Sequence, residues 1–262
     1  MLPDPPSRRA ALPSGAVRRV LARDGWCMLA AGLATLAAEI GTYLLGVLGG
    51  AGQEQAALAS LAVAAVLLAL ACPVLAASGK DGVASLLRAA AVADASAVTL
   101  IVLWLSAPFV TFLGAAKAYC TFAAVALLSA SVVRWAPRPA ARYAVAVATA
   151  IVLLAALATP FWIGGLLEAV TDASARTITA CAVHANPFYS ITAAIVEQTE
   201  FVWHQHAVML YRHVDKIGHF HAPALRWYSA PLIYGSLAGL LAAARLLRRR
   251  RKRNRPPAAP AG

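Results

Sequence analysis

Glu39 is the first residue whose type and position could do chemistry, because it lies near the middle of an apolar run from Trp26 to Gly49. An ionised carboxylate is costly at membrane depth, so such a residue is by default a functional candidate. Thr35, Thr42 and Tyr43 fall on the same helical face and would complete a polar stripe turned toward the interior of a helix bundle. The alternative is a protonated carboxyl that hydrogen-bonds a neighbouring helix and only holds the packing together.

Asp94 is the second acidic residue predicted to lie inside an apolar span. We assign it to the same polar face as Glu39, as a candidate for the pathway or for packing. Because it comes early in its span, it can also serve simply as a cap at the cytoplasmic end of that helix.

A zinc site is a hypothesis for the segment that holds all six histidines, between Thr171 and Ser229. Glu197, Glu200 and His204 share one face of a predicted helix, and imidazole and carboxylate are common zinc ligands. No His-Glu-x-x-His motif occurs, however. The competing interpretation is that these histidines contact lipid headgroups or pair with the two glutamates.

Enzyme chemistry of the familiar kinds finds no motif in this sequence. No Gly-x-Ser-x-Gly elbow and no phosphate-binding Gly-x-x-x-x-Gly-Lys-[Ser/Thr] loop occurs, and the four cysteines lack metal or redox spacing. We therefore expect no catalytic residue and no cofactor held by this chain. If ATP drives the protein, another chain binds it.

The composition instead indicates an integral membrane protein, since 61% of the residues are hydrophobic and only 13% are charged. A helix needs about 20 apolar residues to cross the hydrocarbon core. The fourth span is predicted to be short, with Lys117 and Arg134 reaching opposite interfaces. The six predicted spans are Trp26 to Gly49, Ala56 to Ala77, Ala89 to Leu113, Lys117 to Arg134, Ala144 to Leu167 and Ala230 to Leu247.

The distribution of basic residues predicts that both termini are cytoplasmic, because Lys and Arg are retained on that side. Alternate connections are rich and poor in positive charge, and Gly50 to Gln55 carries none. The basic residues precede the first span, separate the second from the third and the fourth from the fifth, and follow the sixth: Arg8, Arg9, Arg18, Arg19, Arg23, Lys80, Arg88, Arg134, Arg138, Arg142 and the run from Arg248 to Arg253.

The net charge of +12 is largely accounted for by this bias and by the basic tail. A basic cluster beside a span attracts anionic lipid, so we expect a lipid partner for the tail and no nucleic acid. The predicted organisation is a basic leader with an in-plane helix or disorder (1–25), five spans (26–170), an outer His-rich loop with an amphipathic or re-entrant helix (171–229), the last span (230–247) and a disordered basic tail (248–262).

This layout resembles the type-2 permease family of ABC transporters, the membrane subunits of many bacterial ATP-driven exporters. The resemblance covers six spans, cytoplasmic ends, an in-plane helix at Val17 to Arg23, a coupling segment at Ser78 to Arg88 and an outer re-entrant segment at Asn186 to His213. Its local echoes are Lys80-Asp81-Gly82 ahead of Leu86-Leu87, Pro160 late in the fifth span, and Asn186-Pro187.

The resemblance implies an all-α membrane protein of the bacterial inner membrane that is paired with itself or with a sister permease. It also implies a separate ATP-binding-cassette ATPase, contacted through Lys80, Asp81, Gly82 and Arg88. Glu39 and its hydroxyl neighbours would face the substrate pathway or the partner helix. A structural or assembly protein without transport is the alternative, since alanine-rich helices pack closely without any transport function.

Overall fold

The computed structural model describes residues 14–196 and 226–253, and every regular element in these ranges is a helix. Six helices are long and apolar enough to cross a membrane, namely Gly25–Leu48, Gln53–Ser78, Gly82–Ser106, Phe112–Val133, Pro139–Leu157 and Ser229–Arg248. The prediction of an all-α, six-span membrane protein is therefore confirmed. In chain order the helices are α1 (Ser14–Leu48), α2 (Gln53–Ser78), α3 (Gly82–Ser106), α4 (Phe112–Val133), α5 (Pro139–Leu157), α6 (Thr159–Glu168), α7 (Asp172–Ala185), α8 (Pro187–Val196) and α9 (Ser229–Arg253).

The boundary between the third and fourth spans differs from the prediction. α3 ends at Ser106 rather than at Leu113, and the Thr111 hydroxyl accepts the Gly114 backbone N–H at 3.0 Å. This cap starts α4 at Phe112, so the fourth span is a full-length helix of 22 residues and Lys117 lies inside it.

The fifth predicted span, Ala144 to Leu167, is divided at Ala158. α5 ends at Leu157 and α6 begins at Thr159, with Pro160 in its first turn. Proline has no N–H to donate to the preceding turn, so it favours the start of a new helix over the continuation of the old one.

α2 and α4 form the centre of the bundle. α1 packs against α2 and α3, α5 packs against α2, and both α3 and α9 pack against α4. The largest fully buried side chains include Phe122 of α4, Leu61 and Leu68 of α2, and Leu103 of α3. Small alanines fill most of the remaining core, which lets the helix backbones approach closely.

We call the end of the bundle that carries the α2–α3 and α4–α5 connections the basic end. Two arginines join these connections: Arg134 Nη1 donates to the Lys80 carbonyl and Arg142 Nη1 donates to the Gly79 carbonyl, each at 3.2 Å. The predicted coupling segment, Ser78 to Arg88, consists of the last residue of α2, the short α2–α3 turn and the first turns of α3.

The two ends of the chain were predicted to extend beyond the spans. The predicted in-plane helix from Val17 to Arg23 is likewise continuous with α1, which runs without a break from Ser14 to Leu48. The start of the predicted leader (1–13) and the end of the predicted tail (254–262) lie outside the described residues.

α8 is the most enclosed of the short helices. Asn186 ends α7, and its side-chain oxygen accepts the Phe188 N–H at 2.9 Å, which turns the chain into α8. Pro187 and the side chains from Tyr189 to Ile195 are buried, and α8 packs on α4, α2 and α9. The described part of the segment after the fifth span, up to Val196, therefore packs into the bundle.

Candidate functional site

Glu39 lies in the core between α1, α2 and α3 with no exposed surface. Its Oε1 accepts from the Ser96 hydroxyl at 2.6 Å and its Oε2 accepts from the Thr99 hydroxyl at 2.5 Å. The Ser60 hydroxyl donates to the backbone carbonyl of Glu39 at 2.8 Å. One residue of α1 is thus joined by hydrogen bonds to both neighbouring helices.

The partners of the Glu39 carboxyl are hydroxyl groups. Burial of an ionised carboxylate is costly unless it is paired, whereas a hydrogen-bonded carboxyl satisfies its polar atoms inside the bundle. The chemistry that this geometry supports directly is cross-linking of helices through hydrogen bonds. Exchange of a proton would require an access route, and Glu39 lines neither the cavity at Thr121 and Phe122 nor the cavity at Arg134 and Arg245.

The hydroxyls predicted to share the face of Glu39 have other partners. Thr35 and Thr42 donate to the Ala31 and Ala38 carbonyls, at 2.9 Å and 2.7 Å, one turn earlier in α1. Thr35 is buried and Thr42 is half-buried. These hydroxyls are satisfied by the backbone of their own helix, so they do not bind Glu39.

Tyr43 extends the polar contact between α1 and α3. Its side chain is buried, and its hydroxyl lies 3.3 Å from that of Ser106. Tyr43 is one helical turn beyond Glu39, so the two residues form a buried stripe of α1 that faces α3.

Asp94 does not join Glu39. It is exposed on another face of α3, where its Oδ1 accepts from the Tyr119 hydroxyl of α4 at 2.8 Å. Ser96 and Thr99, which follow it along α3, are turned inward and fully buried. Glu39 and Asp94 therefore do not share one polar face, contrary to the prediction.

The residues predicted to couple to an ATPase lie at the basic end. Lys80, Asp81 and Gly82 are exposed in the α2–α3 turn. The Asp81 carboxylate caps α3 by accepting the Ala84 N–H at 2.8 Å, which is a structural role in its own right. Arg88 donates to the Ser78 hydroxyl across the same turn.

The residues predicted for a metal site, Glu197, Glu200 and His204, lie outside the described residues. Within the ranges 14–196 and 226–253, no group of His, Cys, Asp and Glu is arranged to hold a metal ion. The zinc hypothesis therefore stays a prediction about the segment between α8 and α9.

Sequence reasoning missed the partners of Glu39, which are Ser60, Ser96 and Thr99. Ser96 and Thr99 are three residues apart and so lie on one face of a helix, which is a signal that the sequence contains. What the sequence does not contain is the rotation of α3 that turns this pair toward Glu39 rather than toward lipid.

Polar contacts also fix α8 and the end of α7 against α9. The Ser190 hydroxyl accepts the Ala230 N–H at 3.1 Å, and the Tyr234 hydroxyl donates to the Ala185 carbonyl at 2.5 Å. On α4, Gly114 lies so close to α8 that a Cβ placed there would be 2.8 Å from the Ala194 carbonyl oxygen. The segment between the fifth and sixth spans is thereby tied to both adjacent helices.

Comparison of the chain with protein-family models, curated proteins and solved structures found no match. The function of the site is therefore argued from its own geometry.

Proposed function

We propose that this multi-pass membrane protein is the permease subunit of an ATP-driven exporter of the ABC type-2 kind, with ATP hydrolysed by a separate subunit. The observation that carries the proposal is α8, a buried helix that enters the bundle between the fifth and sixth spans. An outer re-entrant segment at this place in the chain is a feature of the family that the sequence resembles.

The proposal places the basic end in the cytoplasm of a bacterium, following the rule that positive charge stays inside. Lys80, Asp81 and Gly82 are exposed there and are available to contact an ATPase. Arg134 and Arg142 tie the α2–α3 turn to the α4–α5 connection, so a push on the turn would be transmitted to four spans. Substrate would pass between two permease subunits rather than through the core of one.

The coupling surface would differ from that of the family it resembles. α3 starts directly at Gly82, so the contact with an ATPase would be a tight turn followed by the first turns of a span. We propose that Asp81 has two roles, as the cap of α3 and as a charge presented to the partner.

The first test is purification of the tagged protein from its native membrane in mild detergent, with mass spectrometry of the proteins that accompany it. We expect an ATP-binding-cassette ATPase in a fixed ratio to the permease. An intact complex without an ATPase would overturn the proposal.

Two substitutions at Asp81 separate its two roles in the purified complex. Asp81→Asn removes the charge and keeps a good helix cap, whereas Asp81→Ala removes both and costs about 1 kcal/mol of stability. We expect both variants to lose substrate-dependent ATP hydrolysis while Asp81→Asn keeps the parent's melting temperature. Full hydrolysis by Asp81→Asn would limit Asp81 to capping.

A structural or assembly role is the second candidate function. The observation that favours it is the enclosure of Glu39, whose carboxyl oxygens both bond to hydroxyls of α3. This reading predicts a complex whose partners are membrane proteins without ATPase activity, and the same purification distinguishes it from the exporter.

A further inference from the structure

A cavity of about 370 Å³ opens at the basic end between α3, α4 and α9. This volume falls within the range of small-molecule binding sites in proteins, roughly 300–1,000 Å³. The cavity lies where α3 and α9, which both pack on α4, leave a groove between them. Its lining includes Leu86 of α3, Leu127 and Arg134 at the end of α4, and Leu241, Ala242 and Arg245 of α9.

The charged residues of this lining are two arginines, with no aspartate or glutamate among the described side chains that form it. Arg134 ends α4, and Arg245 lies in the last part of the sixth span. In a bilayer crossed by these two spans, both guanidinium groups would lie near one interface, where the lipid phosphates are found. A guanidinium has several N–H donors in a geometry that suits phosphate, so each arginine can bind a phosphate oxygen in addition to its contacts within the protein, such as the bond from Arg134 to the Lys80 carbonyl.

The rest of the lining becomes apolar toward the centre of the membrane. Leu86 is one turn into α3, Leu127 lies two turns before the end of α4, and Leu241 is one turn before Arg245 in α9. Beyond the groove, the exposed face of α4 continues from Leu127 to Cys120. The lining of the groove is thus cationic at the arginines and apolar at the leucines, which matches the headgroup and the acyl chains of a phospholipid.

Asp94 is too far from the arginines to repel an anion bound between them. It lies in the middle of α3, twelve residues beyond Gly82, which corresponds to about 18 Å along the helix, and it does not line the cavity. Its carboxyl also bonds to the Tyr119 hydroxyl. The negative charge is therefore near the middle of the span, where acyl chains would lie.

We propose that this cavity binds one anionic phospholipid, with its phosphate between Arg134 and Arg245 and an acyl chain along Leu86, Leu127 and Leu241. Basic pockets between spans are typical binding sites for anionic headgroups. The occupant is a lipid rather than a soluble phosphate compound because four leucines line the cavity beside the two arginines and would contact an acyl chain. The inference does not depend on the exporter proposal, since it requires no ATPase and no second permease.

Native mass spectrometry of the delipidated full-length protein, titrated with phosphatidylglycerol or with phosphatidylcholine, tests this site. We expect one molecule of phosphatidylglycerol to bind tightly and phosphatidylcholine to bind more weakly. Arg245→Gln should weaken the binding of phosphatidylglycerol about fivefold or more, given the usual contribution of one basic residue near anionic lipid. Arg134→Gln should do the same, but it also removes the bond to the Lys80 carbonyl, so Arg245→Gln is the primary variant.

Arg250→Gln is the matched control, because Arg250 is exposed on the same helix and does not line the cavity. It removes the same charge and should leave the tight binding unchanged. Ala242→Trp is a second test that keeps both arginines and fills the cavity with a large side chain, and it should abolish the tight binding.

The proposal is overturned if Arg250→Gln weakens binding as much as Arg245→Gln, since the tail would then attract lipid only by its overall charge. It is also overturned if Ala242→Trp binds like the parent, or if inorganic phosphate displaces the lipid at millimolar concentration.

Discussion

At the scale of single residues, the structure shows that the Glu39 carboxyl is not isolated but accepts hydrogen bonds from neighbouring helices. Ser96 and Thr99 of α3 each donate to one carboxyl oxygen, and Ser60 of α2 donates to the backbone of the same residue. A buried polar group that loses its partners costs more than the group and its partners removed together. Asp94 provides the contrast, because it is exposed and has Tyr119 as its partner.

Removal of the hydroxyl partners of Glu39 should therefore destabilise the protein. Removal of the carboxyl as well should restore most of the lost stability. We expect the Ser96→Ala/Thr99→Val variant to lose about 1–3 kcal/mol of unfolding free energy, which would lower its melting temperature. Addition of Glu39→Met to these changes should recover most of that loss, because no carboxyl is then left without donors.

Cys72 offers the readout for this experiment. It is fully buried, whereas Cys27, Cys120 and Cys181 are exposed, so a thiol-reactive dye reports unfolding once these three are changed to serine. Glu39→Gln alone serves as the control, because its amide can still bond to both hydroxyls. Equal melting temperatures for the parent and Ser96→Ala/Thr99→Val would show that these hydrogen bonds contribute nothing.

At the scale of elements, the contact between α4 and α8 depends on one glycine. Gly114 brings the start of α4 against the end of α8, where the Ala194 carbonyl oxygen occupies the space a side chain would need. α8 also bonds to α9 through Ser190 and Ala230. α8 is therefore held by close backbone packing on one side and by a side-chain hydrogen bond on the other.

Gly114→Ala should separate α8 from α4 and lower the unfolding free energy by about 1–3 kcal/mol, the usual cost of overpacking. Gly114→Val should cost more. Gly239→Ala in α9 is the control, because a Cβ at that position meets open space and alanine is the better helix former. Melting of the two alanine variants with the Cys72 readout checks the prediction, which fails if Gly114→Ala melts with the parent.

At the scale of the whole molecule, the six spans form a bundle with α2 and α4 at its centre and with the basic connections at one end. Arg134 and Arg142 bond to the α2–α3 turn there, so they contribute to the fold. The proposed exporter requires this end to face the cytoplasm, where ATP is available.

Single cysteines test this orientation in intact cells. In the variant that lacks Cys27, Cys120 and Cys181, we introduce Gly52→Cys in the α1–α2 connection or Lys80→Cys in the α2–α3 turn, both exposed positions. A membrane-impermeant maleimide should label Gly52→Cys in intact cells and Lys80→Cys only after permeabilisation.

The variant that retains only the buried Cys72 is the control for labelling and should not react while folded. Labelling of Lys80→Cys in intact cells would reverse the proposed orientation and would place the cavity at Arg134 and Arg245 on the outer side.

Much of the fold was determined by the sequence alone, because the hydrocarbon core imposes a simple length rule. Any apolar stretch of about 20 residues must form a helix there to satisfy its own backbone, so the number of spans and the helical class follow from composition. Glu39 could be recognised as buried for the same reason. The ends of the third and fifth spans were misplaced because Thr111 and Pro160 act locally, inside stretches that are apolar on both sides.

Only the tertiary structure decided which polar residues meet. Glu39 and Asp94 are both acidic and both predicted to lie within spans, yet Glu39 is buried against α2 and α3, whereas Asp94 is exposed and bonds to Tyr119 of α4. That difference depends on the rotation of α3 about its axis, which is set by the packing of alanines and serines against α1 and α4 rather than by hydropathy. The cavity at Arg134 and Arg245 has the same origin, because its walls come from three helices whose spacing no local pattern encodes.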